Sequence, residues 1–249
     1  RLRNTTMEGF RVCTVPMLFE ADKNGGMLEK GLAKLCAEVE QRVDQGYSLI
    51  IVSDRNISKD NAAIPTLLAA STLNNHLVRC GKRHLSALIM ETGEVREVHH
   101  FAMLSAYGAS GVNHYLVFET LIDRKEKGYL DPTITLQTAI IQYISAVRKG
   151  LLKIMSKIGI STIRSYRGSQ TFEAIGLHQE FMQKYFPGTA SQIGGIGLDV
   201  IEKETLLRHF EAFNPQEKNN SIDSGGQYLY RRFSENHAFS PEMVTMLQR

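Results

Sequence analysis

The sequence predicts an α/β protein in which a mostly parallel sheet is flanked by helices. Short apolar runs rich in branched residues, at 48–53 (SLIIVS) and 85–91 (LSALIME), sit between longer stretches whose apolar positions recur at helical spacing. Runs without polar alternation suit strands buried on both faces, as in a parallel sheet covered by helices. Strand and helix signals alternate along the chain, which is the order of βα units. Right-handed crossovers then place the helices outside the sheet.

Each element has its own reason. Residues 27–45 carry apolar side chains at helical spacing between charged ones, and Gly46 closes that helix as a C-cap. Residues 48–53 form the first strand. After a polar loop, residues 65–80 read as a helix with Pro65 in its first turn and Gly81 just past its end. Residues 85–91 form the second strand and 97–109 the next helix. A long helical pattern fills 133–158 and stops at Gly159; residues 160–166 then read as a third strand, and 170–175 as a short helix ending at Gly176. Residues 198–213 make the last helix of a compact region spanning 1–213. From Asn214 to Gly226 there is almost nothing to bury, so 214–226 reads as a linker. Residues 227–249 hold aromatics and a helix start at Ser240, yet are too few for a domain and read as the truncated start of one. No repeat recurs at a fixed period.

Composition excludes several classes. The chain has 249 residues, 43% hydrophobic and 22% charged, enough to bury a sizeable core. No apolar run reaches the roughly 18 residues of a membrane span. The first 20 residues lack a secretory pattern, so no membrane partner and a cytoplasmic location are expected. A net charge of +3, from 29 basic and 26 acidic residues, is too small to call for nucleic acid. Cys13, Cys36 and Cys80 are odd in number and form no CxxC pair. A zinc site, a cysteine-bound iron–sulfur cluster and a disulfide framework are therefore not expected.

In open α/β folds and barrels, ligands sit beyond the carboxyl ends of the strands. By the strand reading above, those ends carry Ser53-Asp54-Arg55, Glu91-Thr92-Gly93-Glu94 and Ser165 to Gln170. Such a rim either binds a small polar ligand or consists of ion pairs and helix caps that order the loops. His99 and His100 point about 100° apart on a helix, so one in the core and one on the surface is expected rather than a metal pair. His76, His84 and His114 have no carboxylate at ligand spacing. Gly194, Gly195 and Gly197 precede a helix and offer an anion nest, or simply a flexible approach to the helix. GxGxxG, GxxxxGK[ST] and GxSxG are all absent. Lys149, Lys153 and Lys157 repeat every four residues within an acid-free stretch from Pro132 to Phe172, a stripe that either docks an acidic neighbour or answers the helix dipole.

Several segments resemble the central domain of glutamate synthase. They are 46–55 (GYSLIIVSDR), 63–69 (AIPTLLA), 93–102 (GEVREVHHFA), 107–116 (YGASGVNHYL), 149–162 (KGLLKIMSKIGIST), 165–177 (SYRGSQTFEAIGL) and 193–198 (IGGIGL). The resemblance runs in order from about residue 12 to 213, with His114 where the family has proline and Ser169 where alanine is common. It implies a reduced TIM-barrel fold that joins a glutaminase domain to an FMN-binding domain holding an iron–sulfur cluster. The parent reaction makes two glutamates from glutamine, 2-oxoglutarate and reductant, with ammonia passing through an internal tunnel. It also implies no catalytic residue, metal or cofactor in this chain itself, and that residues from Gln227 begin the FMN domain. The expected location is the cytoplasm, or the plastid stroma in a photosynthetic eukaryote. On this reading Ser53, Asp54, Arg55, Tyr107, Asn113, Tyr166, Arg167 and Gln170 are the interdomain or tunnel-flanking candidates. The alternative is a stand-alone module binding a phosphate-bearing ligand at Gly194, Gly195 and Gly197.

Overall fold

A computed structural model describes residues 2–5, 7–22, 24–214, 230–232 and 236–249. The chain runs β1 (Val12–Pro16), β2 (Leu18–Glu20), α1 (Met27–Asp44), β3 (Leu49–Ser53), β4 (Asn61–Ala63), α2 (Thr66–Arg79), β5 (Ala87–Glu91), α3 (Val98–Ala106) and β6 (Gly111–Asn113). It continues through α4 (Tyr115–Glu126), α5 (Leu136–Ile158), α6 (Ile163–Tyr166), β7 (Glu173–Leu177), α7 (Gln179–Tyr185), β8 (Ala190–Ile196), α8 (Leu198–Phe213) and α9 (Pro241–Leu247). Residues 1–210 form one compact unit and 211–249 a second. In the second, Ser240 Oγ accepts from the Met243 amide and starts α9. Of the expected linker 214–226, all but Asn214 lies outside the described residues, as do 227–229 and 233–235.

β1, β3, β5 and β6 make a parallel sheet in the order they occur in the chain, with helices as the crossovers. Singly wound parallel strands with a helix after each are the arrangement of part of a TIM-like barrel. Val15, Ile50, Val52, Leu88 and Met90 are fully buried in its core. α1 contributes Leu28, Leu32, Leu35, Cys36, Val39 and Val43 from one face, the periodicity that made it legible. Gly31 sits where a Cβ would come within 2.6 Å of Phe19 Cβ, so the glycine is what lets α1 close onto β2. Register matters most for function. Ser53 pairs with Glu91, and Glu91 with Asn113, so three strand ends bring these side chains into one row.

Two expectations are overturned. Residues 160–166 are not a strand. Gly159 ends α5 in the left-handed conformation, and Thr162 then caps α6, its Oγ1 accepting from the Ser165 amide. Residues 170–175 are not a helix. Glu173 and Ile175 face out while Ala174 and Leu177 pack inward, and β7 pairs in parallel with β8. No helix among the described residues is long and apolar enough to cross a membrane.

Candidate functional site

Two carboxylates lie at the carboxyl ends of β3 and β5. Asp54 follows β3 and is 2% exposed; Glu91 ends β5 and is 4% exposed. Burying a charge is costly unless donors replace the lost water. Glu91 accepts from Ser53 Oγ at 2.6 Å, Arg3 Nη2 at 2.6 Å, Arg55 Nε at 3.1 Å and Asn113 Nδ2 at 3.0 Å. Burial works to raise its carboxyl, but the donors from Ser53, Arg55 and Arg3 outweigh it and hold the group below the ordinary carboxylate range. Asp54 accepts from Thr92 Oγ1 at 2.8 Å, the Gly93 amide at 3.0 Å and Tyr115 OH at 2.8 Å. Burial and the Asp54 charge both push the Tyr115 phenol up, keeping it a donor. Arg55 lies 3.9 Å over the Tyr115 ring and reaches Glu119 at 3.3 Å. Glu94 accepts from the Thr66 amide at 2.7 Å and so caps α2, whose cap residue, Pro65, offers no side-chain acceptor. Beside this rim is a cavity of about 420 Å³ between Thr66, Glu94, Arg96, His100 and Arg208.

The structure thus brings Ser53, Asp54, Arg55 and Asn113 together. It does not bring Tyr107, Tyr166, Arg167 and Gln170 to them. Tyr166 OH donates to the Ala102 carbonyl, and the Gly168 and Gln170 amides donate to Ser105 and Ala106 in the last turn of α3. α3 returns from the carboxyl rim to the start of β6, so this group occupies the opposite, amino end of the sheet. Treating residues 165–170 as a strand end put them on the wrong rim. Tyr107 belongs with them; it is buried and its OH meets Thr189 Oγ1 at 2.9 Å. Arg167 shares a second cavity, of about 400 Å³, with Asn74, Arg83 and Gly108. Arg83 donates there to Asn74, Ser86 and Gly108.

Of the three glycines, Gly197 stands directly before α8 as expected, while the other two are part of a strand. Gly194 and Gly195 lie within β8, and a Cβ on Gly195 would stand 2.1 Å from the Gly176 carbonyl oxygen. The missing side chain at 195 is accounted for by the close approach of β7 and β8. His99 is exposed with its ring edge on Phe172, and His100 is half-buried at the start of α3 rather than in the core. There its Nδ1 accepts from the Arg96 and Glu97 amides at 3.4 Å. The buried imidazoles are instead His114 and His209, and His114 is packed among Phe101, Phe118 and Tyr143 and pushed below the usual histidine value by burial. His76 does have a carboxylate, Glu40 of α1, at 2.7 Å. Arg3, Tyr115 and Glu119 were missed as rim residues. Tyr115 and Glu119 belong to α4, a helix that buries none of its residues and so has little periodic signal.

Comparison with known proteins places this architecture. The family model described as glutamate synthase central domain matches residues 1–178. The chain belongs to the glutamate synthase central-domain family. The glutamate synthase [NADPH] large chain of Bacillus subtilis is 41% identical over 234 residues, covering 94% of this chain and 15% of the relative. Glutamate synthase [NADH] of Schizosaccharomyces pombe is 33% identical, covering 96% and 11%. Ferredoxin-dependent glutamate synthase 2 of Arabidopsis thaliana is 37% identical, covering 90% and 14%. The chain therefore spans between a tenth and a sixth of the length of these relatives, and it is shared by enzymes named for three electron donors. Its own donor set does not fit an iron–sulfur cluster. Among the described residues, the one group of three metal-ligating side chains contains a single cysteine.

Proposed function

We propose that this chain is the connecting segment of a glutamate synthase large chain, holding glutaminase and FMN-binding domains in register and helping to enclose the ammonia path between them. On this reading FMN and an iron–sulfur cluster belong to the neighbouring domain, 214–226 is a linker and 227–249 opens the FMN domain. The parent works in the cytoplasm or plastid stroma.

The observation that carries this reading is the saturation of the carboxyl rim. General acid–base or nucleophilic chemistry needs a lone pair or proton free to meet substrate. Four side-chain donors from this chain converge on Glu91, and Asp54 accepts from two side chains and one amide. These bonds order the loops and occupy the two buried carboxylates, Glu91 and Asp54. Such rigidity suits the wall of a path for neutral ammonia, because protonated ammonia has no lone pair with which to attack.

The outer side of α5 supports the docking part. Ile141, Ile144 and Leu152 are exposed there beside Lys149, Lys153 and Lys157, which form no ion pair with a described carboxylate. An apolar stripe rimmed by charge marks an interaction surface. The test replaces the three lysines by glutamate in the whole parent enzyme. Glutamine hydrolysis and ammonia-dependent glutamate formation should each persist, while glutamate formed per glutamine hydrolysed falls. An unchanged ratio would refute the docking role. Loss of the ammonia-dependent reaction alone would mean that the segment feeds the chemistry directly.

A further inference from the structure

Away from the rim, α1 and α2 bring together three side chains that the connecting role does not use. Glu40 comes from α1. His76 and Cys80 are four residues apart at the end of α2, the spacing that stacks two side chains on one helix face. His76 Nε2 lies 2.7 Å from Glu40 Oε2, and Cys80 Sγ lies 3.7 Å from the same nitrogen. The three donor atoms are all within 4.8 Å of one another. Lys82 holds the other Glu40 oxygen, Oε1, at 2.7 Å and pairs with Asp44 at 2.8 Å. Oε2 is left facing the imidazole.

We propose that Glu40 Oε2, His76 Nε2 and Cys80 Sγ bind a divalent transition-metal ion of the zinc class, with water in the fourth position. A tetrahedral site with bonds of about 2.0 Å to nitrogen and oxygen and about 2.3 Å to sulfur has a nitrogen–sulfur edge of about 3.5 Å and a nitrogen–oxygen edge of about 3.3 Å. The first edge is nearly present at 3.7 Å. The second must open from 2.7 Å by about half an ångström. Glu40 has room for that adjustment, since its side chain is 28% exposed. Lys82 need not leave. It secures the non-coordinating oxygen and orients the carboxylate, the task of an outer-shell partner in such sites.

The donor chemistry agrees. Thiolate and imidazole favour zinc or cobalt over magnesium or calcium. Hydrogen bonds from Lys82 and His76 hold the Glu40 carboxyl at about 2, so that ligand is already ionised. Partial desolvation and the Glu40 charge raise the Cys80 thiol, so it stays protonated until a cation binds. Binding forms the metal–sulfur and metal–nitrogen bonds: the thiol proton goes to solvent, and the proton that His76 Nε2 shared with Glu40 leaves that nitrogen, the neutral ring keeping its one proton on Nδ1, so that a divalent ion is balanced by one thiolate and one carboxylate. Affinity therefore falls as pH is lowered.

The probe is Co(II) titrated into the metal-free 249-residue chain. Expected are 1:1 saturation, the visible bands of a tetrahedral site and a thiolate-to-cobalt charge-transfer band. Cys80→Ser should abolish that band, and His76→Ala should weaken binding at least about tenfold. Lys82→Met should keep the band with affinity about 10–100-fold lower. Should a variant lose its far-UV dichroism, Glu40→Gln supplies the ligand deletion with the shape retained. A band that survives Cys80→Ser, or Co(II) uptake that never saturates, would overturn the site and leave Glu40 and His76 as a plain ion pair.

Discussion

Replacing Glu91 with glutamine tests whether the rim is held by charge or merely filled. The amide keeps the shape and one acceptor, but it presents an NH2 group to donors that previously met a carboxylate oxygen. Ser53 is 6% exposed, so its hydroxyl loses a charged acceptor where water cannot replace it, at about 1–3 kcal/mol. Arg3 and Arg55 are 49% and 40% exposed, so water covers much of their loss and each contributes only about 0.5 kcal/mol. Asn113 adds a similar amount. The total is about 3 kcal/mol, which for a domain of this size lowers Tm by about 6–12 °C. Thermal unfolding followed by circular dichroism reads it directly. Glu119→Gln, at a carboxylate 54% exposed, is the control and should move Tm by no more than about 2 °C. Because the Glu91 carboxyl is held below its ordinary value of 4.5, its stabilising effect is complete above that pH and is lost as pH falls through the folded-state value. The gap between wild type and Glu91→Gln should therefore narrow in acid. A variant that melts within about 1 °C of wild type at pH 7, or a gap that stays constant below pH 4.5, would falsify the account of the rim.

Other consequences concern the frame. Glu202 of α8 accepts from the Gly26, Met27 and Leu28 amides at 2.9, 2.8 and 3.2 Å, capping α1 from 174–176 residues away. Glu202→Ala should cost about 2–4 kcal/mol in urea unfolding, and a midpoint equal to wild type would mean that water caps the helix as well. Gly195→Ala should cost about 1–3 kcal/mol by forcing β7 from β8, whereas Gly194→Ala, with nothing within 4 Å of its Cβ, should be silent; equal effects would refute the packing explanation. Burial keeps His114 neutral in the folded chain, so unfolding takes up a proton below the ordinary histidine value of 6.5 and stability drops there as pH falls. His114→Leu should flatten the Tm profile between about pH 7 and 5, and an unchanged slope would show that other histidines produce it.

How much of this was legible follows from where each signal resides. α1, α2, β3 and β5 announce themselves because one face, or the whole run, is buried, and burial leaves a period in the residues. β1 carries Thr14 and Pro16, β6 has three residues, and β8 is a glycine-containing pair partner, so none has a run long enough to read. The strand-end position of Ser53, Asp54 and Asn113 was legible because they follow apolar runs or lie in recognisable segments. The error over Tyr166 to Gln170 came from one wrong element. Residues 160–166 are apolar enough for a strand, but Gly159 and Thr162 cap helices on either side, and reversing that element inverted the end of the fold it was assigned to. The Glu40–His76 contact and the Glu202 cap join residues 36 and about 175 positions apart, and no local pattern encodes such pairs.

The most direct test of the central claim is the visible spectrum of the purified 249-residue chain, taken with assays for glutamine hydrolysis and ammonia-dependent glutamate formation. A connecting segment should be folded, colourless and inactive in both assays. Bound flavin would contradict it by showing a cofactor site within this chain, and turnover in either assay would contradict it by showing that substrate reaches a catalytic group here.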